Sequence, residues 1–206
     1  DVAGNVDLFA EAFPDRSLYL VNYRGYGGSS GSPSEAGLSV DALAVFDHVR
    51  RERAEIAVMG RSLGSGVAVQ LASMRPVERL VLVTAYDSLV DVAREYFRWL
   101  PVGLLLRDRY ESAARAKEIE APVLIVIAGE DEIISRARSA SWPRAVSPSP
   151  TSIGLPAKNG TSRRISSMVC SGVVVGREGE AMPCTLSIRL TWRTPGQTSY
   201  WVLLSP

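Results

Sequence analysis

Ile56-Ala57-Val58-Met59-Gly60-Arg61-Ser62-Leu63-Gly64-Ser65-Gly66 is the stretch that decides the fold. Ile56 to Met59 is a short apolar run that reads as a strand. Gly60 to Gly64 is a turn, and Gly64 to Ser73 reads as a helix of small residues. Working outward, Ser17 to Asn22 is a second strand, followed by a Gly/Ser-rich loop to Pro33. Ser39 is placed to cap a helix through Val40, Leu43, Phe46 and Val49. Downstream, Leu80 to Thr84 is a third strand, and Asp87 or Ser88 caps a helix through Leu89, Val92 and Tyr96. A looser segment, Trp99 to Ile119, leads to a continuously apolar fourth strand, Pro122 to Ala128. Val2, Val6, Phe9, Ala10 and Phe13 fall at helical spacing, so the chain opens inside a helix. Strands apolar on both faces that alternate with helices predict a parallel sheet covered on both sides. The fold class is α/β.

The 206 residues suffice for one domain with a proper core. A net charge of +1 gives no overall field that points to nucleic acid or an anionic membrane. No apolar run approaches the length of a membrane span, and no charged-then-apolar signal segment precedes the first element, which points to the cytoplasm. Asp1 is not an initiator methionine, so an N-terminal piece is expected to precede it. Composition breaks near residue 140. Residues 1–140 carry 16 of the 23 basic and 20 of the 22 acidic residues, whereas 141–206 carry a net +5 and 30 Ser, Pro, Gly and Thr. The reading is a domain over 1–140 followed by a weakly structured tail over 141–206, poorly packed against the sheet. Within the tail, Leu186-x-Ile188-x-Leu190-x-Trp192 alternates as a strand does. Cys170 and Cys184 lack neighbours at metal spacing, so neither metal nor cofactor is expected. Asn159-Gly160-Thr161 fits a glycosylation acceptor without a secretory signal, and Arg163-Arg164 is too short for a nucleic-acid patch.

The chemistry concentrates at Ser62. A glycine-flanked serine between strand and helix is thrust out at the carboxyl end of the sheet, where the helix N-terminus favours developing negative charge. The backbone N–H of Leu63 would be one oxyanion donor. An ordinary turn would also place Gly and Ser here. Gly27-Gly28-Ser29-Ser30-Gly31 fits the same pattern, but Ser32-Pro33 blocks an immediate helix, so it reads as a loop. A dinucleotide reading of Gly25-x-Gly27 fails because the third glycine position is Ser30 and no helix begins there.

Taken with Asn22-Tyr23-Arg24-Gly25-Tyr26-Gly27-Gly28-Ser29 upstream and Gly129-Glu130-Asp131 downstream, Gly60 to Gly66 resembles an α/β-hydrolase. The branch it is most similar to is the serine-aminopeptidase type related to the Bem46-like proteins. The resemblance covers residues 1–140. It implies an α/β-hydrolase-like parallel sheet with helices on both faces, incomplete at both ends, and an irregular C-terminal tail. It also implies that Ser62 is the nucleophile, that Asp131 is the triad acid, and that Trp99 to Ile119 flanks or forms the cap. Glu130 and Glu132 are neighbours of the acid, and Asp131 also fits a loop-capping carboxylate. A triad acid orients a histidine and does not touch the serine, so a gap of imidazole size is expected between Ser62 and Asp131.

The departures from the family pattern matter as much. The only histidine is His48, upstream of Ser62, and it reads as a surface residue beside Arg50-Arg51. No histidine follows Asp131, and the loop that would supply the second oxyanion donor would precede Asp1. The expected function is a serine hydrolase that attacks a small-molecule ester, thioester or amide through an acyl-enzyme at Ser62, impaired for want of the base. Two alternatives are a non-catalytic binding scaffold and a frameshifted family member. The abrupt tail and 21 Arg against 2 Lys are consistent with a shifted frame in a GC-rich gene. Substrate and oligomeric state are not written in the sequence.

Overall fold

In the computed structural model the described residues are 6–14, 16–127, 131, 133–142, 151–154, 168–171, 189–192 and 200–205. Helix α1 (Val6–Ala12) leads to β1 (Ser17–Val21), a glycine-rich loop and the long helix α2 (Glu35–Arg50). Strand β2 (Ala57–Arg61) enters α3 (Leu63–Met74), and β3 (Arg79–Val83) enters α4 (Leu89–Tyr96). Short helices α5 (Val102–Leu105) and α6 (Ser112–Arg115) precede β4 (Val123–Ile127) and α7 (Arg136–Ser141). Four further strands follow: β5 (Thr151–Gly154), β6 (Met168–Ser171), β7 (Arg189–Trp192) and β8 (Tyr200–Ser205).

The main sheet has the order β1-β8-β2-β3-β4-β5. Strands β2, β3, β4 and β5 pair in parallel, as the apolar runs predict. Strand β8 lies antiparallel between β1 and β2, which leaves β1 parallel to the rest. The tail is therefore not wholly apart from the domain: 151–154 and 200–205 are strands of this sheet. Arg189–Trp192, part of the alternating stretch, pairs with Met168–Ser171 in a separate two-stranded ribbon. Much of the tail, with Cys184, Asn159 to Thr161 and Arg163-Arg164, lies outside the described residues, as do Val2, Glu130 and Glu132.

Period-two alternation divides the core. Val58, Leu80, Leu82, Ile125 and Ile127 face the layer built from Leu38, Phe46 and Val49 of α2 and Val67 and Leu71 of α3. Ala57, Met59, Val81, Val83 and Val126 face the other way, against Phe9 and Phe13, whose rings stack at 6.5 Å. Both faces of the central strands are thus removed from water, and this explains their lack of polar alternation.

The structure corrects one expected cap, Ser39, and decides another. Helix α2 begins a turn earlier than its apolar spacing implies, because Ser34 accepts from the Gly37 N–H at 3.1 Å; Ser39 is instead buried within the helix. Ser88, not Asp87, caps α4 by accepting from the Asp91 N–H at 3.0 Å. An Arg24–Asp41 pair, with both guanidinium contacts at 2.6 Å, ties the loop after β1 to α2. The hydrogen bonds from Arg24 hold the Asp41 carboxyl below its ordinary pKa, in spite of some desolvation. A depressed folded pKa contributes stability above the unfolded value and loses it as pH falls through the folded one. Since both side chains are about a third exposed, solvent screening limits the pair to about 0.5–1 kcal/mol. Asp41→Asn is expected to cost that much at pH 7 and to match the parent at a pH below the depressed folded pKa. Urea melts at the two pH values measure it, and an equal deficit at both would refute the assignment.

Candidate active site

Ser62 sits between β2 and α3 at φ 52° and ψ −123°, a backbone region that side-chain-bearing residues avoid. The turn is held on both sides. The Ser62 N–H donates to the Val83 carbonyl at 3.0 Å, across to the end of β3. Its carbonyl accepts from the Ser65 N–H at 2.8 Å and the Ser65 hydroxyl at 2.7 Å. Gly60 is required by close approach: a β-carbon there would overlap the Gly64 carbonyl and lie 2.7 Å from the Ala68 methyl. The half-buried serine therefore projects from the carboxyl end of β2 at the start of a helix. Leu63 is the first residue of α3, where a backbone N–H has no partner within the helix and faces developing negative charge well. Ser62→Gly is expected to raise stability by about 1 kcal/mol, the relief of strain less the added chain entropy of glycine. A chemical-denaturation curve decides this, and a loss of stability would show the turn to be unstrained for serine.

Gly27 to Gly31 is a loop, as its Ser32-Pro33 continuation predicts, with positive φ at Gly25, Gly27 and Gly31 and no helix until Glu35.

Asp131 follows β4 on the same sheet edge that Ser62 occupies after β2. One strand, β3, lies between β2 and β4, so about 10 Å of sheet separates the two strands that lead to these residues. Asp131 Oδ1 accepts from the Ile133 and Ile134 N–H groups at 2.8 and 2.7 Å, which are the contacts of a loop-capping carboxylate. His48 lies elsewhere. It is exposed in the last turn of α2, with its Nδ1 3.1 Å from an Arg51 guanidinium nitrogen. The first turn of α2 is at the carboxyl edge, and thirteen residues of helix put His48 about 20 Å from it.

Sequence reasoning missed the residues that shape this edge. Thr84, the next residue after β3, has φ 50° and donates its N–H to the Val126 carbonyl at 3.0 Å. It follows the strand that lies between β2 and β4, and a β-branched residue in an apolar run gives no warning of such a backbone. Beneath the turn, Tyr86 and Tyr110 close on Gly66, where a β-carbon would meet both rings. Burial, followed by neighbouring tyrosines, raises the Tyr23 phenol; burial, then Tyr110 and Glu35, raises that of Tyr86. Burial again leads for Tyr110, with Asp108 and Glu35 adding to the rise. These phenols stay protonated at neutral pH, so none serves as a base for Ser62.

Two sets of contacts hold the residues between β3 and β4. The Glu35 carboxylate accepts from the Arg109 and Tyr110 N–H groups at 2.7 and 3.0 Å, while Asp108 accepts from the Glu35 N–H at 2.8 Å. On the other side, Arg138 of α7 reaches Asp87 at 2.7 Å and Glu95 at 2.6 Å. Ser139 and the Trp142 indole donate to the carbonyls of Ala85 and Tyr86, both at 2.8 Å. The residues after β3 are thereby pinned from both flanks. No cluster of His, Cys, Asp and Glu among the described residues could hold a metal, and no described helix is long and apolar enough to cross a membrane.

A family model described as "Alpha/beta hydrolase family" matches residues 3–200. An uncharacterised protein of Mycobacterium tuberculosis is 43% identical over 122 residues, covering 57% of this chain and 43% of its own. Protein bem46 of Schizosaccharomyces pombe is 30% identical over 130 residues, covering 57% and 42%. The chain thus spans less than half the length of these relatives. Among solved structures, a hydrolase from Pseudomonas aeruginosa PA01 superposes with a TM-score of 0.50 at 23% identity, over 66% of this chain and 70% of that one, a likeness of fold.

Proposed function

Because the chain belongs to the alpha/beta hydrolase family, we propose that Ser62 is an acyl-accepting nucleophile toward an ester, thioester or amide, with Asp131 as the acid partner. The backbone of Ser62 carries this reading: φ 52° on a serine, between Gly60 and Gly64, at a strand-to-helix turn. Strain of this kind, about 1–3 kcal/mol, persists where the surroundings enforce it and clusters at reactive positions. In the first step Ser62 Oγ bonds to the acyl carbon and loses its proton, while the leaving group departs with one. The Leu63 N–H supports the oxyanion, and water then releases the acid and regenerates the serine. The place of Asp131 after β4, one strand removed from the strand that leads to Ser62, supports reading it as the group that orients a base. No histidine follows Asp131 in this chain, so the proton of Ser62 falls to solvent and turnover is slow.

A fluorophosphonate probe tests the nucleophile directly. Slow labelling that maps to Ser62 and vanishes in Ser62→Ala supports the reading. Absence of label at long exposure, with the fold intact, would favour a non-catalytic scaffold.

A further inference from the structure

The segment after α4 carries an exposed apolar surface that the catalytic reading leaves unused. Trp99 is 80% exposed, Leu104 88% and Leu105 64%, and Phe97 stands half out of the protein beside them. These residues occur within nine positions, and the backbone is tightly turned there: the Leu100 N–H donates to the Phe97 carbonyl, and those of Leu104 and Leu105 to the Pro101 carbonyl. Val102 is buried, and Gly103 lies against the Arg94 guanidinium, so Leu104 and Leu105 are the outward part of α5. Large aliphatic and indole side chains held outward on a fixed turn cost hydration unless something covers them.

Charge identifies the cover. Of the acidic residues nearby, Asp91 pairs with Arg94, Glu95 with Arg138 and Glu111 with Arg109, while Asp108 accepts from the Glu35 N–H of α2. Arg98 and Arg107 flank the apolar residues, are exposed, and form no ion pair among the described residues. A groove of about 380 Å³ is lined by Leu100, Val102 and Leu104 together with Arg94 and Arg109. Each of these paired guanidinium groups retains unused donors. The complement is an apolar layer with negative charge at its surface. A second copy of the chain fits poorly, because a two-fold contact brings like arginines together. The chain's own tail fits poorly as well, since residues 141–206 carry a net +5.

We propose that the Phe97–Arg107 turn docks on the surface of an anionic phospholipid bilayer. Trp99, Leu104 and Leu105 enter the headgroup boundary, Arg98 and Arg107 meet lipid phosphates, and the groove seats a headgroup. The turn is fixed at the carboxyl edge of the sheet: the Arg109 carbonyl accepts from the Leu89 N–H at 2.8 Å, and Tyr110 packs on Gly66 in the first turn of α3. Docking therefore brings the lipid to the edge that holds Ser62, but it does not depend on any reaction there.

Co-sedimentation of the 206-residue chain with phosphatidylcholine vesicles, alone or mixed with phosphatidylglycerol, is the test. Binding is expected on the mixed vesicles, weakened by salt and unchanged by Ser62→Ala. Arg98→Gln with Arg107→Gln should reduce the partition coefficient about 20- to 30-fold, near fivefold for each charge. Trp99→Ser, Leu104→Ser and Leu105→Ser together should reduce it at least about tenfold. Arg50→Gln with Arg51→Gln, an equal charge change at the far end of α2, should leave it unaltered, and circular dichroism checks that every variant folds. Binding that survives the apolar triple variant, or that falls equally with the Arg50 and Arg51 pair, overturns the proposal. So does failure to bind mixed vesicles, whether the chain then captures polyglutamate or forms a dimer that the triple variant dissolves.

Discussion

p-Nitrophenyl butyrate is expected to turn over on this chain about four to six orders of magnitude more slowly than on a hydrolase with a complete Ser–His–Asp set. A serine hydroxyl is a weak nucleophile until a neighbouring base takes its proton. The one imidazole in the chain belongs to His48, exposed at the far end of α2 beside Arg51. The buried phenols near the turn are held protonated. What remains is the strained serine, the Leu63 N–H and whatever binding the edge provides. His48→Ala should therefore leave the slow rate unchanged, whereas Ser62→Ala should bring it to the buffer rate. Free imidazole should raise the Ser62-dependent part of the rate, and less so in Asp131→Asn, where no carboxylate orients the ring. Robust hydrolysis that survives His48→Ala but not Ser62→Ala would mean that another group acts as base.

Gly60→Ala is the substitution expected to damage the fold most, by about 3 kcal/mol. A methyl group at this position meets the Gly64 carbonyl and the Ala68 methyl, 2.7 Å away. Inserting a methyl group into a packed site typically costs about 1–3 kcal/mol, with the high end where the obstacle cannot rotate aside. Here the first obstacle is the backbone of α3 itself. To make room, α3 must lift from β2, and the layer of Val67 and Leu71 against Val58 and Leu80 would loosen with it. For a chain of this size the melting temperature should fall by about 6–12 °C. Ala68→Gly in the same chain should restore only part, because the carbonyl contact remains. A change below about 0.5 kcal/mol in urea would show that helix and strand are not in the close contact argued here.

Four strands were legible within a residue or two because each is a short apolar run between turn formers, and burial on both faces is what such runs signal. Strand β8 was legible in principle: Tyr200-Trp201-Val202-Leu203-Leu204 is rich in strand-forming residues, but the turn-former excess of the surrounding tail masked it. Its antiparallel seat between β1 and β2 is a matter of pairing across the chain, which no local pattern encodes. Whole-chain charge carries no local information either. A net +1 says nothing of Arg98 and Arg107, which form no ion pair among the described residues, on either side of an exposed tryptophan.

The sequence by itself determined the α/β class, the strand-to-helix turn at Ser62, the loop at Gly27 to Gly31 and the isolation of His48. Each of these rests on neighbours in the chain: glycine spacing, a proline, an apolar run or a count of one. Only the tertiary structure decided the backbone of Thr84, the tyrosines closed on Gly66, the latches of Glu35 and Arg138, and the outward face of Trp99 and Leu104. All but the last depend on residues twenty to seventy-five positions apart. Separation along the chain carries no pattern, and close packing in three dimensions brings such groups together.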